Sequence, residues 1–294
     1  MEMPRGTAIG EIDAIGEIGA GARLALSPTL HAEVAAPGSP AQRQAARLQA
    51  ERFARVCGRP QTSEAYDADA TSAESATSYE RITDYAPRRT LPIVVWRTRH
   101  DTHDDTRALE LIGTARLELP GAMLIEEMIR LAPGSRAAVE LASGRAAEIG
   151  AFATAPGLEK GAVLDVVDAI VAIITRLARE RDIEWLWLFP RNGLMSLLCA
   201  RIPGLLPPYR FTRCTDVVGW NEKSPRLRPF RALGLKGLAA RPEIYQIRRG
   251  DLAADVERRR LLLPARHTRG DEIAGLLSRA MLQARREQSY ASAV

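Results

Sequence analysis

Between Ala146 and Phe189 the chain carries a pattern that few folds accommodate: a strand-like run, a turn bracketed by Gly157 and Gly161, an amphipathic helix, and a second strand that is nearly all apolar. Over residues 162–181, Leu164, Val167, Ile170, Val171, Ile174, Leu177 and Ala178 recur at intervals of three and four, with Asp165 and Asp168 near the start. Ile183-Glu-Trp-Leu-Trp-Leu-Phe189 is the run expected of a strand covered on both faces. Strand, helix and strand in this order predict two parallel neighbours joined by a crossover helix. Backbone N–H groups and a helix N-terminus then meet where a phosphate can sit, so the crossover is the place to look for a ligand.

The flanking segments predict a mainly antiparallel sheet. Ser39-Pro40-Ala41-Gln42 has an N-cap serine, proline at the first helical position and glutamine three residues after the cap, so a helix begins there and stops near Gly58 and Pro60. Residues 91–99 and 109–119 read as strands joined through a 100–107 loop into a hairpin. Residues 122–131 have helical spacing, 192–202 look helical, and 209–220 supply a last strand. The fold class is therefore α/β (α+β), a mixed sheet flanked by helices. Residues 1–38, with their Ile-Gly-Glu-Ile echo, are expected to form a loosely ordered arm, 39–224 the main domain, and 225–294 a basic helical extension. In that extension Ile273, Leu276, Leu277, Ala280, Met281 and Ala284 share one helical face, suited to packing on its own domain or to docking on a carrier protein, a membrane surface or a second subunit.

Composition narrows the function. The net charge of +5 is uneven: residues 225–294 hold 15 basic and 7 acidic side chains, whereas acidic residues outnumber basic ones before them. All but three of the basic residues are arginine, and no zinc-finger spacing, RNP-like aromatic pattern or helix-turn-helix signal accompanies them, which argues against nucleic acid as the partner. Cys57, Cys199 and Cys214 are too scattered for a disulfide framework or a zinc knuckle. His100, His103, Asp104 and Asp105 cluster in the expected hairpin loop, but their spacing matches no established metal site, so none is assigned. Ser196 lacks a nucleophile elbow and Gly19-Ala-Gly21 lacks a dinucleotide fingerprint. No apolar stretch approaches the roughly 20 residues of a membrane span, and no basic-then-apolar leader is visible at Met1, so a cytoplasmic location is expected.

Several short motifs, in order, resemble those of the GNAT superfamily of acyl-CoA N-acyltransferases, within the branch of acyl-homoserine-lactone synthases, long-chain N-acyl amino acid synthases and the thermostable-hemolysin family. Gly113-Thr-Ala-Arg-Leu117, followed by an apolar, acidic stretch to Met128, is similar to a "G-x-A-R-L" strand and its helix. Glu148-Ile-Gly-Ala-Phe-Ala-Thr154 is similar to "E-L-S-R-F-A-V", although Ala151 stands where the pattern has arginine. Glu51-Arg-Phe53 and Tyr66-Asp-Ala-Asp69 echo an Arg/Phe helix and an aspartate pair, and Leu158-Glu-Lys-Gly161 keeps one glycine of the pyrophosphate loop.

The resemblance implies a parallel strand pair that opens into a V-shaped cleft for an acyl-thioester arm, and transfer of a fatty-acyl group to an amine of an amino acid, small molecule or peptide. The donor is then a co-substrate, acyl-CoA or an acyl carrier protein presenting phosphopantetheine, with no permanently bound cofactor. An acyl carrier protein would suit the basic tail. Glu148 is the candidate general base. Arg116 either holds an acceptor carboxylate or is an ordinary surface or ion-pairing arginine, and Asp67 and Asp69 either bind an acceptor ammonium or belong to a flexible acidic loop. Arg52 and Phe53 are acceptor contacts or ordinary helix residues. Phe152, Ala153, Thr154, Gly157 and Gly161 would meet the donor; Trp185 and Trp187, on one face of their strand, form core or wall an acyl tunnel. The alternative on the same fold is a non-catalytic or membrane-active chain, which the Gly150-Ala151 pair and the reduced loop would fit.

Overall fold

The computed structural model describes residues 23–27, 29–56, 89–100, 107–189, 198, 208–225, 227 and 242–267. An edge hairpin, β1 (Arg23–Ser27) and β2 (Leu30–Val34), precedes helix α1 (Pro40–Val56). The expected cap holds: Gln42 N–H donates to Ser39 Oγ at 3.2 Å, and Gln42 Oε1 accepts from Gly38 N–H at 2.6 Å. The predicted hairpin follows as β3 (Thr90–His100) and β4 (Arg107–Glu118). Next come α2 (Leu124–Met128), β5 (Ile129–Leu131), α3 (Arg136–Ala142), β6 (Ala146–Thr154), the long α4 (Lys160–Glu180) and β7 (Trp185–Leu188). β8 (Thr212–Arg213), β9 (Val217–Trp220), β10 (Tyr245–Arg248) and α5 (Arg249–His267) complete the described chain.

Eight strands form one sheet in the order β1-β2-β3-β4-β6-β7-β10-β8, while β5 and β9 pair separately. Every described pairing is antiparallel except β6 with β7, which run parallel with Ala146 opposite Trp185 through Ile149 opposite Leu188. This is the expected mixed, mostly antiparallel sheet with one parallel strand pair, flanked by helices. One face of it packs on α4: Ile93, Val95, Ala115, Leu117, Ala147, Ile149 and Leu188 join Val166, Ile170, Ile173 and Ile174 in the main core. Gly113 is needed there, because a Cβ on it would overlap a methyl of Val166. The opposite face is covered in two parts. α1 lies over β3 and β4, burying Ala45 with Val94 and Trp96; α2, β5 and β9 lie over β6 and β7, burying Met123, Ile125, Met128 and Trp220 with Trp185 and Trp187.

Four expectations need correction. The helix at 122–131 is only five residues long, because Ile129 is extended (φ −110°, ψ 141°) and pairs with Trp220. The strand at 209–220 is two short strands in different sheets, since the chain turns at 215–216, where the Asp216 carboxylate accepts from the Ala137 N–H that opens α3. β1 (Arg23–Ser27) and β2 (Leu30–Val34), within the supposed arm, pair into the sheet edge, with Ala32 and Val34 in the core. The supposed extension gives β10 to the sheet between β7 and β8, and α5 docks through Arg259, whose Nη2 and Nε donate to Asp168 Oδ1 at 2.6 and 2.9 Å. Tyr209 also donates to that oxygen, at 2.9 Å, and stacks under the guanidinium. Burial and the Asp168 charge push the Tyr209 hydroxyl well above the usual tyrosine range. The proposed helices at 192–202 and 271–286, the acidic 61–81 segment, Cys57, Cys199, Ser196, Gly19, Gly21, His103, Asp104 and Asp105 lie outside the described residues, Leu198 apart.

Candidate active site

The site is created by the register of three strands. Leu117 lies opposite Ile149 across the β4–β6 ladder, which sets Glu118 against Glu148 and Arg116 against Gly150. Because side chains alternate, Ala115, Leu117 and Ile149 go to the α4 core, and Arg116, Glu118, Glu148 and Gly150 share the other face. Glu118 and Glu148 are each only 1% exposed, so two carboxyl groups sit side by side in the interior. A Cβ on Gly150 would come within 3.1 Å of Glu118 Oε1, so glycine makes room for that carboxyl group.

Glu148 also closes the start of α2. Met123, the N-cap residue, offers no side-chain cap, and instead the Ile125 N–H donates to Glu148 Oε2 at 2.9 Å. Burial pushes the Glu148 carboxyl well above the ordinary glutamate range and the Glu118 charge adds to the rise, against which the Ile125 and Leu124 N–H groups pull it down. Half-buried Glu126 is raised as well, by burial first, with the Gly121 and Met123 N–H groups and Arg89 opposing. Across the parallel ladder Trp187 is the direct neighbour of Glu148; it is fully buried, and its indole N–H meets no acceptor among the described residues.

The β6–β7 ladder stops at Ile149 and Leu188, and β6 changes character just beyond. Arg116 pairs with Gly150 and Thr114 with Ala153, so Ala151 and Phe152 together oppose the single residue Ala115. This is a bulge, and Ala151 adopts the left-handed conformation (φ 50°), which costs a non-glycine residue about 1–2 kcal/mol. Gly150, Ala151 and Phe152 are partly exposed between buried Ile149 and Ala153. The strained segment is thus the accessible stretch of an otherwise buried strand, next to the two carboxyl groups. The position where the resemblance has arginine is the left-handed residue itself, and Ala151 brings no guanidinium there.

The other expected site residues divide. Arg116 is 8% exposed, which removes the surface alternative and leaves it on the face of Glu118 and Glu148. Ala153 and Thr154 are buried at the end of β6, and Phe152 packs against the main core. Gly157 takes a positive φ of 75° in the turn before α4, while Gly161, in the first turn of α4, faces open space. Trp185 is on the side of Trp187 but lies under the guanidinium groups of Arg136 and Arg248, at 5.2 and 5.1 Å from its ring centre, and belongs to the second core. Arg52 is half-buried on α1; Phe53 continues that helix, with its side chain outside the described residues, as Asp67 and Asp69 are altogether. Among the described residues there is no group of three or more possible metal ligands, and no helix is long and apolar enough to cross a membrane.

Sequence reasoning missed Glu118 and Gln49. Glu118 stands two residues after Arg116 on the same strand face, which is a readable signal, but its meeting with Glu148 depends on strand register. Gln49 carried no signal beyond its place on the inner side of α1, where it is buried and its amide nitrogen donates to Thr114 Oγ1 at 3.2 Å.

No protein-family model and no curated protein matches the chain. Among solved structures it is similar to that of FeeM, an N-acyl amino acid synthase from uncultured soil microbes, with 14% identity and a TM-score of 0.42 over 78% of this chain and 96% of that one. It is also similar to the crystal structure of a probable acetyltransferase, with 14% identity and a TM-score of 0.37 over 78% and 97% of the respective chains.

Proposed function

We propose that the chain is a GNAT-like N-acyltransferase that moves a fatty-acyl group from a thioester carrier to an amine of an amino acid, small molecule or peptide. The observation that carries this reading is the placement of Glu148: a buried carboxyl group with a raised pKa, on a strand of the one parallel pair among the described residues, beside the partly exposed bulge at Gly150–Phe152. An acyl thioester is already activated, so amide formation needs an unprotonated amine held in near-attack geometry. The amine nitrogen bonds to the thioester carbon, the carbon–sulfur bond breaks, and the thiolate leaves. The proton lost by nitrogen passes to Glu148, directly or through one water, and a carboxylate raised toward neutrality is a better base for it than an ordinary one. Strand N–H groups freed by the bulge and by the end of the β7 ladder suit both the pantetheine arm and the developing oxyanion. Arg116 would hold an acceptor carboxylate, Trp187 and Phe152 would line the acyl path, and Gly157 and Gly161 would lie beside the donor's phosphates. Coenzyme A or an acyl carrier protein would supply the acyl group.

The test is mass spectrometry of the purified protein incubated with long-chain acyl-CoA or acyl carrier protein and a panel of amino acids and amines. N-acyl products are expected with the wild type and, for Glu148→Gln, a rate lower by about 10²–10⁴-fold. One observation favours the second reading, a non-catalytic chain on this fold: Glu148 caps α2 with its backbone N–H bonds, a task that needs no substrate. Absence of product from both donors with every amine, together with liposome binding by the wild type, would establish that reading instead.

A further inference from the structure

On α1 a short relay of hydrogen bonds leaves one acceptor over. Thr114 Oγ1 donates its only proton to the Ile93 carbonyl at 2.8 Å, so toward Gln49, 3.2 Å away, that oxygen can only accept. Gln49 must therefore present its NH₂ group to Thr114, which fixes the amide orientation and turns Oε1 away. Gln49 is 4% exposed, and among the described residues its Oε1 has no donor. Such a buried acceptor is costly unless something donates to it. Thr114 precedes Arg116 and Glu118 on β4, and α1 covers the face that carries them. Half-buried Arg52 follows Gln49 by three residues, one helical turn on.

We infer that Gln49 is a specificity-determining residue for the acceptor: its Oε1 receives a hydrogen bond from an O–H or N–H group on the acceptor's side chain, and its partner Thr114 lies two residues before Arg116 on β4. This rests on the acyltransferase reading and narrows it to amino acids whose side chains carry a hydrogen-bond donor. The site rejects isosteres that lack the donor, because Oε1 then stays buried and unpaired.

The experiment compares kcat/KM of the wild type for matched acceptors, tyrosine with phenylalanine, and serine with 2-aminobutyrate, using one long-chain acyl donor. The donor-bearing member of a pair is expected to be favoured by about tenfold or more. Gln49→Met, of similar volume but without the acceptor, should erase that preference, bringing kcat/KM for tyrosine and serine down to the values for phenylalanine and 2-aminobutyrate. Gln49→Glu should shift preference toward cationic side chains such as ornithine. A wild type with equal kcat/KM across both pairs overturns the inference without recourse to any variant, as does a Gln49→Met variant that slows all acceptors alike. Turnover with a flat acceptor profile defeats only this inference; no turnover with any amine defeats the acyltransferase reading and this one with it.

Discussion

Glu148 is the residue on which structure and chemistry press in opposite directions. A carboxyl group whose folded pKa lies above its unfolded value binds its proton more tightly in the native state. Its stabilising contribution is present in full below the ordinary glutamate range and is lost as pH rises from there through the raised folded value. The Glu118 charge, directly across the ladder, enlarges the loss, because it raises the Glu148 pKa beyond what burial alone does. Glu148→Gln keeps an oxygen for the Ile125 N–H and removes the titration. The expected outcome is a variant about as stable as the wild type at pH 4 and more stable at pH 8, measured by urea denaturation across that range; equal pH dependence in the two proteins would show that the fold does not raise the Glu148 pKa. Stabilisation accompanied by lost activity is the signature of a group kept for function. Glu148 was visible in the sequence because a family-like motif surrounds it. Its partner Glu118 was not, since cross-strand adjacency is a property of register, and register appears only when the inward set Ala115, Leu117 and Ile149 is assigned to the α4 face.

At the scale of elements, the hairpin of β3 and β4 and the β6–α4–β7 crossover were legible because their apolar periods are long and uninterrupted. What failed were the short pieces. α2 and β5 share the stretch 122–131, and tertiary pairing of Ile129 with Trp220, more than local preference, decides where helix gives way to strand. Asp168 was read as a helix-start carboxylate favoured by the macrodipole, yet it lies more than two turns into α4 and is buried because Arg259 of α5 meets it. That pair is the latch between the two helices. Arg259→Met removes the charge and the stacking over Tyr209 and leaves the Asp168 carboxylate in the interior with its hydroxyl partner Tyr209, at an expected cost of about 3–5 kcal/mol in urea denaturation. Adding Asp168→Asn to the same variant should recover part of the loss, because no charge then remains buried. A single variant costing under about 1 kcal/mol would mean that α5 contributes little to the native fold.

The whole molecule reverses the modular reading of the sequence. A basic composition after residue 225 marked a boundary, and composition carries no information about which strand fills which slot in a sheet. In the structure β10 lies between β7 and β8, its Ile247 is in the main core, and Leu252 of α5 joins it there. The segment that follows the expected boundary therefore completes the sheet on the far side of the parallel pair, and the parallel pair bounds the candidate site. Cutting the chain after residue 224 would expose the whole β7 edge, Trp185-Leu-Trp-Leu188, a short apolar strand with a free row of backbone groups, which is a template for intermolecular pairing. It would also strip the Arg259 latch from Asp168 and the Asp255 carboxylate from the Arg210 N–H and guanidinium. The 1–224 fragment is accordingly expected to be aggregated or to lack a cooperative thermal transition, checked by size-exclusion chromatography and circular dichroism. A monomeric fragment that melts cooperatively would restore the tail to the status of a separable docking module, and a loss of activity confined to the acyl carrier protein donor would then assign it that task.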